Sequence, residues 1–328
     1  MLWDFSLATS LKALVRTWPF VLARMLVYGL VAMAYVLATG TGATVGWGLG
    51  ALGEPGFRLA ATVIGGAAGF GIVSLFLFLA REWFLYVLKA GHIAMLVAVL
   101  DGLPLPSGLA QLPTAARVVR ARFIEANVLF VVDRMVMGVI RVVSGIVDVA
   151  STVVPVPGLA RLVRAVLKVA LGFVDEVILA YNIRIGSTNP FQTAQDALVL
   201  YAQNAGWILK NAIWLVLMVW SMTFLAFLVF LVPAAIALHL FPGPVANLGF
   251  VLAMVFALCL KAALLEPFAV ASLIQVYFRA IEGQTPRADW RAHLDEVSSR
   301  FRGLGAAARS FAASPTDRPA APARSDAA

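Results

Sequence analysis

Four apolar stretches dominate this chain: Trp18–Leu37, Leu59–Leu79, Asn211–Leu231 and Leu248–Leu265. Each is about as long as the ~20 residues an α-helix needs to cross the hydrocarbon of a bilayer, and backbone in lipid must satisfy its own hydrogen bonds. The chain as a whole is 62% hydrophobic and only 13% charged, against about 25% charged in an ordinary soluble domain. The fold class this implies is all-α: a polytopic membrane protein with four principal transmembrane helices and further long amphipathic helices at the cytoplasmic surface.

The segments between the spans divide the chain. Trp3–Thr17 is a short amphipathic lead-in whose Leu7, Leu11, Leu14 and Val15 oppose Lys12 and Arg16. No cleavable signal is expected there, because no small-residue cleavage site follows. Trp18-Pro19 opens the first span, where proline is tolerated because a first-turn N–H has no helical acceptor. Arg24 is expected to snorkel to the near interface. Thr39–Gly56, rich in glycine and without Lys or Arg, reads as the far-side turn. Gly46, Gly48 and Gly50 in it, and Gly65, Gly66, Gly69 and Gly71 in the second span, also permit close helix contact. Beyond Arg81-Glu82 the chain stays apolar to Leu100. Because Ser74–Ala90 holds no strong helix breaker, one long helix is expected there in preference to a re-entrant segment. Pro267–Ile281 is a similar extension of the fourth span.

The two outer parts run alike: amphipathic lead-in, span entered near Trp18 or Trp214, Gly/Pro turn, returning span, apolar extension. They finish as Leu100-Asp101-Gly102-Leu103-Pro104 and Ile281-Glu282-Gly283-Gln284-Thr285-Pro286. This points to a parallel duplication, since both copies start and end on one side. The domains are therefore residues 1–104 and 187–284 as two membrane helical pairs, 105–186 as a basic amphipathic unit between them, and 285–328 as a tail. In the tail Trp290–Phe301 has helical periodicity, while the Ala/Ser/Pro/Arg sequence after Gly303 is not expected to form a core, and disorder is expected from Ser310. Phe191–Lys210 reads as an amphipathic helix running directly into the third span.

The central unit holds the candidate site. Two helical segments, Ala115–Thr152 and Leu159–Asn182, are divided by Pro155-Val156-Pro157-Gly158. In the second, Arg161, Arg164, Lys168 and Asp175 fall within about 60° of one another at about 100° per residue. This makes a basic stripe, with Asp175 set to pair with Lys168. Arg120, Arg134 and Arg141 share a broad face of the first segment. Such stripes either bind anionic headgroups at the interface or line a wet seam through the helices, and the sequence leaves both open.

Charge placement orients the chain. The far-side turns lack Lys and Arg, whereas the lead-in, central unit and C-terminal segment hold most of the 25 basic residues. Both termini and the central unit are expected in the cytoplasm, and the protein in the cytoplasmic (inner) membrane. The net charge of +8 suits anionic lipid; no dense basic patch on a soluble domain suggests nucleic acid. Enzymatic activity is not expected. HExxH, GxSxG and GxxxxGK[ST] are missing from the sequence, and His92, His239 and His293 are scattered. Asp175 and Glu176 point about 100° apart and form no matched pair. No cofactor or metal is expected, and the lone Cys259 reads as a buried small hydrophobe.

Phe191-Gln192-Thr193-Ala194 through Leu200-Tyr201-Ala202-Gln203-Asn204 resembles the Phe…Ser-Ala…Ala-Phe…Leu-Leu…Arg-Asn stretch of the choline transporter-like membrane proteins. With a one-residue adjustment, Thr193-Ala194 takes the Ser-Ala position and Gln203-Asn204 the Arg-Asn position. The likeness spans residues 191–232 and implies solute transport without assigning a solute or a binding residue. Two functions follow as expectations. One is a transporter or permease-like protein for a small solute. The other is a membrane-organising or envelope protein whose central helices bind anionic lipid, a second copy or another membrane protein.

Overall fold

A computed structural model describes residues 3–53, 55–122, 165–166, 168–186, 188–240 and 245–313, all of it helix, turn or loop. Four helical runs are long and apolar enough to cross a membrane: Trp18–Gly50, Gly56–Leu77, Ala205–Ile236 and Gly249–Ala280. Leu30, Ile72, Phe76 and Val229 on these helices stand exposed, as side chains do when lipid is the solvent. The protein is a multi-pass helical membrane protein.

Its chain folds as two units. The spanning unit comprises Trp18–Lys89 and Leu217–Ala269; the other comprises the residues up to Thr17, Ala90–Val216 and those from Val270 on.

The N-terminal lead-in is α1 (Leu7–Arg16), started by the Ser6 hydroxyl accepting from the Thr9 N–H at 3.2 Å, an ordinary N-cap. At Thr17 the backbone leaves helical geometry (φ −101°, ψ 29°) while its N–H still reaches the Ala13 carbonyl. Then α2 begins at Trp18 and runs to Gly50. The glycine-rich stretch expected as a turn is thus largely helical, and among the described residues the turn is Ala51–Gly53. The reason is contact with α3 (Pro55–Leu100). A Cβ added at Gly42 would lie 2.1 Å from the Gly65 carbonyl oxygen, one at Gly46 2.0 Å from that of Ala61, and one at Gly69 2.0 Å from that of Ala38. Only glycine allows this approach, and the dispersion contact it gives offsets glycine's helix penalty of about 1 kcal/mol.

The expected continuity of α3 is found: one helix runs to Leu100. Its extension is apolar because protein covers it. Ala90, Ile93, Ala94, Met95, Leu96 and Val97 are all buried in their unit, as is His92. The extension of the fourth span behaves alike, with Val270, Ala271, Leu273, Ile274, Val276 and Tyr277 buried. α3 stops at Gly102 (φ +71°), where the Leu103 N–H returns to the Ala98 carbonyl at 2.8 Å. Such a left-handed stop requires glycine or little else.

After a short 3-10 turn comes α4 (Gln111–Arg122), then, beyond the undescribed residues, α5 (Val174–Ile185) and α6 (Pro190–Gln203). The expected run from this amphipathic helix straight into the third span is interrupted. Asn204 (φ −113°, ψ 15°) breaks it, and α7 (Ala205–Leu240) follows. Its side chain explains the break, because the Asn204 amide donates to the Leu200 carbonyl at 2.9 Å in competition with the backbone,. The return leg is α8 (Val245–Leu260), a π turn (Lys261–Leu265) and α9 (Glu266–Ala280), ending before Gly283 (φ +70°). Both halves therefore pass through the same elements: short helix, one-residue break, long span, return span with extension, and a left-handed glycine.

The tail corrects an expectation. α10 (Ala288–Val297) is followed by α11 (Ser299–Ala313), although the sequence after Gly303 reads as unable to build a core. Phe301, Leu304 and Ala308 are buried, Phe311 meets Phe191 edge-on at 5.7 Å, and Asn189 donates to the Ala308 carbonyl at 2.8 Å. Small alanines let α11 lie close on α6, so a weakly apolar helix suffices. Arg291 adds polar ties, donating to Gln195 at 2.9 Å and pairing with Asp196.

Candidate functional site

Charged side chains within apolar spans are expensive unless paired, and are therefore functional candidates by default. In the spanning unit three of them converge near the π turn. Lys261, the first residue of that turn, pairs with Glu266 at 2.6 Å. Its ammonium also lies 5.4 Å from the ring centre of Trp220 in α7, a cation–π distance. From α2, the buried Arg24 donates to the Ala262 carbonyl at 3.2 Å.

The local sequence dictates this arrangement. In the π turn the Glu266 N–H bonds to the Lys261 carbonyl, five residues back. On the same pattern the Ala262 carbonyl would accept from residue 267, which is Pro267 and has no N–H. Proline withholds that donor, and Arg24 donates to the same carbonyl. A hydrogen bond from a charged donor contributes about 1.5–3 kcal/mol, enough to favour one backbone register over another. The five-residue spacing also sets Lys261 beside Glu266; in a plain α-helix residues five apart diverge by about 140°.

Arg24, read from sequence as a snorkelling cation, is instead held inward by a partner that hydropathy does not reveal. The usable signal was a Lys and a Glu five apart with proline next, within an otherwise unbroken apolar run.

The sequence-derived candidates fare differently. Arg161, Arg164, Arg134 and Arg141 lie outside the described residues. Arg120 is in the last turn of α4. Lys168 is exposed and Asp175 half-buried, but they are not on one continuous helix. The chain turns at Gly172-Phe173, with the Gly172 N–H to the Val169 carbonyl at 3.0 Å and the Phe173 N–H to that of Ala170 at 3.3 Å. A count of 100° per residue therefore does not carry from Lys168 to Asp175. Asp175 and Glu176 occupy the first turn of α5, where the helix dipole favours carboxylates.

A second polar node fastens the N-terminus in the other unit. The Asp4 carboxylate accepts from Lys210 at 2.8 Å, from Asn211 at 3.0 Å and from the Trp207 indole, and its carbonyl accepts from Arg279 at 2.7 Å. The bond from Lys210, then those from Asn211 and Trp207, hold the Asp4 carboxyl well below the usual carboxylate range.

Among the described residues no three His, Cys, Asp or Glu side chains gather as a metal site would require. The chain matches no protein-family model, no curated protein and no solved structure.

Proposed function

We propose that this protein is a transporter or permease-like carrier of a small solute across the cytoplasmic membrane. The observation that carries this reading is the convergence of Arg24, Lys261 and Glu266 at a non-α turn inside the spans. Purely structural spans have no use for three ionised side chains, and irregular backbone at such a place accompanies function. The two like halves, each a pair of spans, and the resemblance of residues 191–232 to choline transporter-like proteins support the same reading. The distribution of Lys and Arg supports cytoplasmic termini and a cytoplasmic central unit, whose exposed Lys168 and neighbouring arginines would meet anionic headgroups. With no nucleotide-binding motif in the sequence, flux would run down a solute or ion gradient.

Sealed proteoliposomes test this. Uptake from a panel of cationic, zwitterionic, anionic and neutral solutes under imposed proton and sodium gradients should exceed that of protein-free vesicles for at least one solute class. Correctly folded protein that moves none of them sinks the reading.

A further inference from the structure

Counted at 100° per residue, α1 has three faces, each about 120° from the next. One holds Ser10, Ala13 and Leu14, all buried in their unit. Ser10 meets the Ser272 hydroxyl at 2.6 Å and accepts from the Gln275 amide at 2.7 Å, so this face is fixed to α9. The Gln111 amide donates to the Arg16 carbonyl at 2.8 Å and fastens the end of the helix. The second face carries Leu7, Leu11 and Val15, which stand 41%, 59% and 65% exposed. The third carries Lys12 and Arg16, both exposed; neither pairs with a carboxylate among the described residues. The counterpart helix of the second half has no such apolar stripe. In α6, which packs against α5 and α11, Phe191, Leu198, Val199, Leu200 and Tyr201 are all buried.

We propose that α1 is an in-plane membrane anchor: Leu7, Leu11 and Val15 enter the acyl-chain boundary of the bilayer, and Lys12 and Arg16 hold anionic lipid headgroups. The order of the faces selects this occupant. A helix lying at the interface turns its apolar side to the hydrocarbon and its cations to the headgroups. The flank left over is the one that packs on protein here. Chain length agrees. Val15 lies three residues before Trp18, which begins a helix able to cross a membrane, and three residues reach at most about 11 Å. The stripe is therefore within reach of the interface. Area speaks against a protein partner. Even at an aromatic's ~200 Å² apiece, three side chains no more than 65% exposed offer under about 400 Å². A specific protein interface buries about 800 Å² on each side. The anchor stands whether or not the protein carries a solute.

The test uses full-length protein with Cys259→Ser as background and a single spin label at Leu7, Thr9, Leu11 or Val15. Each is placed in nanodiscs of phosphatidylcholine, alone or with an equal part of phosphatidylglycerol. Collisions with oxygen, which concentrates in lipid, and with a water-soluble nickel chelate give the depth of each label. Labels at Leu7, Leu11 and Val15 should sit about 5–10 Å below the phosphates. The label at Thr9, beside the basic face, should be open to nickel. The apolar-face labels should lie deeper in the anionic nanodiscs, and Lys12→Gln with Arg16→Gln should abolish that difference without touching the face that packs on α9.

A Leu11 label as open to nickel as the Thr9 label overturns the anchor. Shielding of Leu7, Leu11 and Val15 from both reagents overturns it too, in favour of a second copy or another protein as the cover. Depth that ignores lipid charge in the parent, or a lipid-charge effect that survives the double substitution, overturns the headgroup contact of Lys12 and Arg16.

Discussion

Thr17 and His92 share a hydrogen bond of 3.0 Å between two fully buried side chains. The threonine hydroxyl has one proton, and the Ala13 carbonyl takes it at 2.8 Å. The hydroxyl oxygen therefore accepts from His92 Nε2–H, which assigns the tautomer from the hydrogen-bond accounting. The break between α1 and α2 is thus tied to the extension of α3.

Replacing Thr17 with valine keeps the shape and removes the acceptor, leaving a buried N–H without it. Such a group costs about 1–3 kcal/mol. Thr17→Val should lower the unfolding free energy in detergent by that amount, whereas Thr17→Ser should stay close to the parent. Equal stability of all three would mean that the bond contributes nothing.

The contact of α2 with α3 makes a position-specific prediction. Gly65→Ala would set a methyl against the Gly42 carbonyl at 2.1 Å, and overpacking of this kind costs about 1–3 kcal/mol. At Gly48 nothing lies within 4 Å, so Gly48→Ala should be neutral or stabilising by up to about 1 kcal/mol, the helix-propensity difference. Thermal unfolding of the two variants side by side, each in the same detergent, gives the comparison.

Asp4 predicts a pH dependence. Its pKa is lowered in the folded protein, so its contribution is fully present above the unfolded carboxylate value of about 3.9 and fades only as pH falls through the lower folded value. The N-terminal segment should therefore stay protected from amide exchange at pH 5 as at pH 7. Asp4→Asn loses the charged bond from Lys210 and should speed exchange at Phe5–Leu11 at both values. Protection that falls already between pH 7 and pH 5 would contradict the assignment.

For the basic stripe of the central unit, Arg161→Gln with Arg164→Gln should weaken association with vesicles containing anionic lipid by about 1 kcal/mol per charge. The loss should shrink as salt rises. Lys168→Gln alone removes one charge and should do about half as much. An intact double variant that binds anionic vesicles like the parent removes the headgroup assignment.

Spans and extensions were legible because apolar runs persist whatever covers them. For the same reason hydropathy alone did not separate lipid from protein as the cover of Ala90–Val97. The far-side turn is shorter than its glycine content suggests, because Gly42 and Gly46 look like loop residues until the Gly65 and Ala61 carbonyls stand opposite. The end of the basic helix at Gly172 was hidden by a periodicity that continues through the break. α11 is not legible in the sequence because Ala308 contributes by being small. The site was half legible: Lys261, Glu266 and Pro267 were visible as the end of a span, but the register that joins them, and the reach of Arg24, arise only in three dimensions.

The cover over Ala90–Val97 also sets an order of events in biosynthesis. The unit that buries this segment draws on residues as late as Tyr277 and Leu304. At roughly 5–20 residues per second of synthesis, a ribosome needs on the order of 10–40 s to reach them. For that interval the segment is an apolar helix with no completed fold to enter. The insertion machinery or the membrane surface must shelter it, and it must later be given up to the protein. A chain stalled before Pro190 should therefore be held at the membrane and be sensitive to proteases, while the full-length chain releases the same segment into its own interior.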